Sequence, residues 1–191
     1  MAPITTRRRR LAVETRLWRV YLDDIATPEG ALVDDYLVLE PKTRSSGSIV
    51  YSGVAVLPVV EGRFGLLSIY RHAMSETFLE VPRGFVDTGE LPAVSAAREL
   101  EEETGLIADP ASLLPLGSIV PEASTFVGRA GLFAAENCMM GANIRDVRHE
   151  PGIGDFCFFD LAEVHDLVAS SRIEDPATLV AFYRYVALKG L

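Results

Sequence analysis

Gly84-Phe85-Val86-Asp87-Thr88-Gly89-Glu90-Leu91-Pro92-Ala93-Val94-Ser95-Ala96-Ala97-Arg98-Glu99-Leu100-Glu101-Glu102-Glu103-Thr104-Gly105-Leu106 is the most informative run of the chain. Pro92 suits a first helical turn and Gly105 a stop just past the end, which predicts a helix over Leu91–Thr104 behind a glycine-bearing loop, Arg83 to Glu90. At about 100° per residue, Ala93, Ala96, Ala97, Leu100 and Thr104 gather on one side as a core-facing stripe. Glu99, Glu102 and Glu103 fall on the opposite side. Like charges at this spacing cost an isolated helix about 0.2–0.5 kcal/mol per pair, so the face is unfavourable unless something cationic compensates. Mg2+ does so readily, because it prefers hard oxygen ligands and is commonly shared between carboxylates and substrate phosphates. On the helix alone, a solvated acidic face with Arg98 paired to Glu102 stands as the other reading.

The spacing of residues around the helix separates the two. A glycine, five residues, a glutamate, seven residues, then Arg-Glu-hydrophobic-x-Glu-Glu-x-Gly-hydrophobic is met at Gly84, Glu90, Arg98, Glu99, Leu100, Glu102, Glu103, Gly105 and Leu106. This pattern resembles the Nudix box, and the chain is identified as a member of that superfamily. Tyr70-Arg71 and Glu80-Val81-Pro82-Arg83-Gly84 look like the segments that precede the box in the ADP-ribose pyrophosphatase branch. Arg172 to Thr178 resembles the start of that branch's final helix, and Pro121 has a placement typical of the ADP-ribose group. Two departures leave the substrate open: Pro121-Glu122-Ala123-Ser124-Thr125 stands where Pro-Gly and a later glutamate are usual, and Arg83 replaces a usual alanine.

The resemblance implies an α/β fold, an α/β/α sandwich with a mixed sheet and a small N-terminal β extension. Residues 1–46 would form that extension and serve dimerisation, and residues 47–191 the Nudix hydrolase domain. It implies a homodimer that uses Mg2+ or Mn2+ to hydrolyse the pyrophosphate bond of a nucleoside diphosphate derivative, ADP-ribose to AMP and ribose 5-phosphate. Glu99 and Glu103 would be the main metal ligands, Glu102 a further one, and the carbonyl of Arg83 would face the metal. Arg98 would orient the glutamates by charge-assisted hydrogen bonds. Glu150 is the expected general base, on a loop whose Pro151-Gly152 lets it swing, with Glu122 as competitor. Arg71, Glu80 and Pro121 are the substrate-side candidates; Arg71 either holds a phosphate or ribose or makes a surface salt bridge, and Glu80 either touches substrate or finishes a strand. Trp18, Tyr21 and Tyr36 are the aromatic candidates for stacking on adenine. Another nucleoside diphosphate sugar or a dinucleotide is the alternative substrate. A Nudix-fold sensor without turnover is the alternative of another class, and such domains often lose box glutamates that are all present here.

The rest of the chain reads as one domain with an extension. Its 191 residues, 49% of them apolar, suffice for a buried core. A net charge of −9 speaks against nucleic-acid binding, because phosphate backbones select basic surfaces. Arg7–Arg10 reads as a solvated tail, with an anion-binding arm as the other option. Neither an export signal nor a membrane span is apparent, so a cytoplasmic protein is expected, with Cys138 and Cys157 as small core residues. Strands are predicted at Leu17–Asp23 and Ala31–Glu40 about the turn Thr27–Gly30, then at Ile49–Val60, Phe64–Tyr70, Thr77–Val81, Leu116–Val120, Gly128–Ala135 and Asp155–Phe159. Two later helices are predicted from Asp160, where Glu163 completes a capping box, and from Asp175-Pro176.

Overall fold

The computed structural model describes residues 3–43, 45, 51–136, 138–141 and 151–191. Three strands come first: β1 (Thr5–Glu14), β2 (Trp18–Ala26) and β3 (Leu32–Pro41), an antiparallel sheet in that order. The predicted turn between β2 and β3 is closed by Gly30, at φ 86°, whose N–H donates to the Thr27 carbonyl. The basic run Arg7–Arg10 is thus neither a tail nor an arm but the middle of β1. Cross-strand pairing is the physical reason: Arg9 grips Asp23 through Nε and Nη2 (2.9 and 2.7 Å), and Arg10 pairs with Asp24 and Asp35.

The chain continues through β4 (Gly53–Val60), β5 (Arg63–Arg71), β6 (Glu76–Glu80), β7 (Arg83–Phe85), α1 (Pro92–Thr104), β8 (Leu106–Ile107), a 3-10 turn at Pro110–Ser112, β9 (Leu114–Ile119), β10 (Ala130–Ala135), β11 (Met139–Met140), β12 (Ile153–Phe159), α2 (Leu161–Ala169) and α3 (Pro176–Lys189). Seven of the strands form one sheet in the order β12-β5-β4-β10-β9, with β6 on β5 and β7 on β4. β10 runs parallel to β4 and the other pairings are antiparallel, so the sheet is mixed, as expected.

Side chains alternate across β4, and this alternation divides the core. Val54 and Val56 join Val86, Leu100 and Leu106 under α1, whereas Ala55, Leu57 and Val59 join Phe64, Leu132, Val164 and Phe182 under α2 and α3. Both faces are therefore apolar and covered, which is the predicted α/β/α sandwich. The same alternation corrects one expectation: on β12, Phe156 and Phe158 pack inward and leave Cys157 exposed, while Cys138 is half-buried. α2 carries the predicted Asp160–Glu163 capping box, and Asp175 caps α3 by accepting from the Thr178 N–H. The first sheet is tied to the segment between β9 and β10: Leu39 of β3 donates to the Thr125 carbonyl (2.7 Å) and accepts from the Val127 N–H (2.8 Å), and the Tyr36 hydroxyl donates to the Ser124 carbonyl. Among the described residues, no helix is long and apolar enough to cross a membrane.

Candidate active site

α1 starts without a side-chain cap, with Pro92 in its first turn, and ends at Gly105, whose φ of 73° lets its N–H return to the Glu101 carbonyl. Ala96, Ala97, Leu100 and Thr104 are buried, as the stripe predicts. The acidic side differs from a solvated face: Glu99 and Glu103 are only 7% and 6% exposed. They are covered because β7 and the loop behind it lie across this side of the helix. The Arg83 N–H donates to Glu103 Oε2 (3.0 Å). At Gly84 the contact is closer still, since an added Cβ would stand 2.2 Å from the Glu99 carboxylate carbon. Any side chain there would displace the Glu99 carboxylate.

Arg98 binds this arrangement together. Its Nη1 donates to Glu99 Oε1 (2.8 Å) and reaches Glu102 Oε2 (3.5 Å), while Nη2 donates to the Phe85 carbonyl (3.1 Å) and approaches Glu90 (3.6 Å). Burial works against its charge, but Glu99, Glu90 and Glu102 outweigh it and raise the Arg98 pKa. Glu90 is turned towards the helix and accepts from the Ser95 hydroxyl (2.5 Å).

These residues border a cavity of about 950 Å³. The residues singled out in the sequence that line it include Trp18, Arg71, Arg83, Gly84, Arg98, Glu99, Glu102 and Pro121. Glu103 is held against the Arg83 backbone, and Glu80 lies beneath the arginines, 2% exposed, with Arg71 Nε donating to its Oε1 (2.9 Å) and Arg83 paired to its Oε2 (2.5 Å). The Glu80 hydrogen bond raises the Arg71 pKa, with desolvation opposing it, so Arg71 stays charged. Glu122 is exposed and accepts from the Ser124 N–H (2.9 Å); it is not among the lining residues. Glu150 lies outside the described residues.

One aromatic candidate lines the cavity, beside residues that carried no sequence signal of their own. Trp18 reaches the cavity from β2 and packs edge-on against Phe85 and Phe126, with ring centroids 5.5 and 5.6 Å apart. Trp18 was one of three aromatic candidates; Phe85 occupies a free position of the motif, and Phe126 and Arg16 lie far from it. Asp175 showed itself only as a helix cap, yet its second oxygen accepts from Arg83 Nη1 (2.6 Å). Tyr36 holds the 124–127 segment through Ser124 and is not among the lining residues.

The donors suit a hard divalent cation. Glu99, Glu102 and Glu103 offer carboxylate oxygens from adjacent turns, and the glycine cradle brings one of them against the loop backbone. Among the described residues no three acidic, His or Cys side chains converge into a ready-made cage. That is compatible with Mg2+, which usually takes one or two carboxylates and completes its shell with waters and substrate phosphates.

A model of the NUDIX domain family matches residues 51–178, from just before β4 to the N-terminus of α3, which include the acidic helix and the arginines around it but not Trp18. The chain belongs to the Nudix family. Over 98 residues, half of this chain, it is 36% identical to a CMP-5'-(N-acetyl-N-hydroxy-3-aminopropyl)phosphonate hydrolase of Streptomyces rubellomurinus, covering 42% of that protein. Over 90 residues it is 34% identical to an ADP-ribose pyrophosphatase of Bacillus subtilis, with 47% of this chain and 43% of that one aligned. An ADP-sugar pyrophosphatase of Mus musculus is 32% identical over 108 residues, 54% of this chain and 49% of that one. The chain thus spans less than half the length of these curated relatives. A crystal structure of an ADP compounds hydrolase superposes with a TM-score of 0.79 over all of this chain and 96% of its own, at 21% identity, and so supports the Nudix fold.

Proposed function

We propose that this Nudix chain hydrolyses the pyrophosphate bond of a nucleoside diphosphate derivative, with ADP-ribose giving AMP and ribose 5-phosphate, in a reaction that depends on Mg2+ or Mn2+. The observation that carries the proposal is the buried acidic side of α1, packed through Gly84 and Arg83 against a cavity that also presents arginines and an aromatic wall. Similarity to an ADP-ribose pyrophosphatase and an ADP-sugar pyrophosphatase supports the substrate class.

Glu99, Glu102 and Glu103, with the Arg83 carbonyl, would hold the cation, which supplies charge neutralisation at the phosphates and acidifies a water. Arg98 keeps Glu99 and Glu102 turned to one side. Arg71, anchored on Glu80 through Nε and Nη2, retains Nη1 donors for a phosphate or a ribose hydroxyl. Trp18 and Phe126 form the apolar wall suited to a nucleobase, and Pro121 shapes the rim beside them. Glu150 remains the proposed general base. Water attack on one phosphorus breaks one P–O bond of the pyrophosphate, and both products leave as monophosphates.

A substrate panel checks this reading: ADP-ribose, other nucleoside diphosphate sugars, dinucleotides and a CMP-linked phosphonate, each with Mg2+, Mn2+ or excess chelator. ADP-ribose is expected to turn over fastest, and only with added cation. Equal turnover in chelator removes the metal, whereas binding of the panel without turnover favours a sensor.

A further inference from the structure

Four consecutive residues ahead of α1 are each tied to a different element. The Glu80 carboxylate holds Arg71 at the end of β5, and the Val81 N–H donates to Thr178 Oγ1 on α3 (3.0 Å). The Pro82 carbonyl accepts from the Val56 N–H on β4 (2.9 Å), and the Arg83 N–H donates to Glu103 on α1 (3.0 Å). The Arg83 side chain closes this strap on itself. Its Nη1 lies 2.6 Å from Asp175 Oδ1 and its Nη2 2.5 Å from Glu80 Oε2, while those side chains are only 6% and 2% exposed.

Both carboxylates are themselves immobilised. Asp175 Oδ2 accepts from the N–H and hydroxyl of Thr178 (2.8 and 2.7 Å), and Glu80 accepts from Arg71 at both oxygens, Nε to Oε1 (2.9 Å) and Nη2 to Oε2 (2.5 Å). A planar guanidinium that bridges two fixed carboxylates has little freedom, unlike a lysine ammonium on a flexible stem. Its own backbone N–H is the group that donates to Glu103. We propose that the Arg83 side chain is a positioning residue for Glu103: clamped between Glu80 and the N-cap of α3, it fixes the peptide that orients this carboxylate towards the cation. The role rests on the hydrolase reading above and is distinct from the metal-facing carbonyl that family resemblance gives to Arg83.

Mn2+ binding to the substrate-free protein, by isothermal titration calorimetry, combined with steady-state kinetics on ADP-ribose, tests the proposal in wild type, Arg83→Met and Asp175→Asn. Loss of an outer partner of a metal ligand costs about 10–100-fold in affinity or activity, and Arg83→Met is expected to weaken Mn2+ binding and lower kcat within that range while KM stays nearly constant. Unchanged Mn2+ affinity with a raised KM means that Arg83 contacts substrate, and unchanged affinity with only a lower melting temperature means that it is structural; either result overturns the proposal. Should Arg83→Met not fold, Asp175→Asn decides by the same criteria, since asparagine still caps a helix but no longer pairs with the guanidinium. Wild type that neither binds Mn2+ nor turns over ADP-ribose overturns the hydrolase reading and this role together, whereas normal wild-type binding matched by both variants overturns the role alone.

Discussion

At Gly84, the backbone of β7 and the Glu99 carboxylate share a space with no room for a methyl group. The obstacle to an alanine is the tip of a flexible side chain, so the adjustment falls on Glu99 and not on the main chain. Gly84→Ala is therefore expected to retain the fold, by circular dichroism, while kcat drops about 10–100-fold, the range for disturbing the surroundings of a metal ligand. Wild-type turnover in this variant would mean that Glu99 is not required where it stands. Glu103→Gln makes the complementary change: it keeps an oxygen for the Arg83 N–H but removes the charge. Steady-state assays should find turnover reduced more than about tenfold, with the melting temperature little altered. Sequence periodicity placed these glutamates opposite the core stripe, and their types and spacing marked them as ligand candidates. It could not reveal their burial, because the covering strand β7 belongs to a loop that has no period to read.

Among the elements, α3 carries near its C-terminus one of the polar contacts that dock it. The Tyr185 hydroxyl donates to Glu136 Oε1 (2.9 Å), which also pairs with Lys189 (2.7 Å). Burial, reinforced by Glu136, pushes the Tyr185 pKa up to about 12. An unfolded tyrosine titrates near about 10, so the folded state retains its proton longer; this contribution is complete below about pH 10 and is lost as pH rises through about 12. Urea denaturation should accordingly show a loss of wild-type stability between about pH 9 and about pH 11.5 that is smaller in Tyr185→Phe. Identical losses in the two proteins would assign the alkaline sensitivity to other groups. α1, α2 and α3 were legible from proline, glycine and capping residues near their ends, and most strands of the main sheet from apolar runs between turns. β1 was not legible: four successive arginines show no alternation, and the aspartate that pairs with Arg9 lies fourteen residues away. Strand identity there is decided by a neighbour, which local pattern does not contain.

At the scale of the whole molecule, the cavity combines segments remote in sequence. Arg16 to Trp18 precede and open β2, Thr43 follows β3, and Phe126 comes from the 124–127 segment that β3 holds by backbone hydrogen bonds. The motif-bearing wall could be read from the sequence, whereas the aromatic wall depends on how the N-terminal sheet is seated against the main one. That sheet also leaves apolar side chains exposed on both of its faces, with Leu11 in register with Tyr21 and Val38 on one and Leu37 with Leu22 on the other: Leu11 is 53% exposed, Val13 51% and Leu32 60%, with Val33 and Leu37 near 40%. Three strands bury too little to leave these side chains bare without cost, and exposed apolar surface marks contact sites. A second copy of the chain is the occupant that the family resemblance suggests, and we predict a homodimer built on this sheet. A specific interface removes about 1,600 Å² from water, and placing charge in its apolar centre costs more than association can offset. Light scattering at micromolar concentration should report a dimer for wild type and a monomer for the Leu11→Glu/Leu37→Glu double variant, which charges both faces of the sheet. The variant should still bind Mn2+, because neither α1 nor β7 belongs to the N-terminal sheet that carries the substitutions. A wild-type monomer would reject the dimer, and loss of Mn2+ binding in a folded double variant would show that the two sheets depend on each other far more than their few backbone links imply.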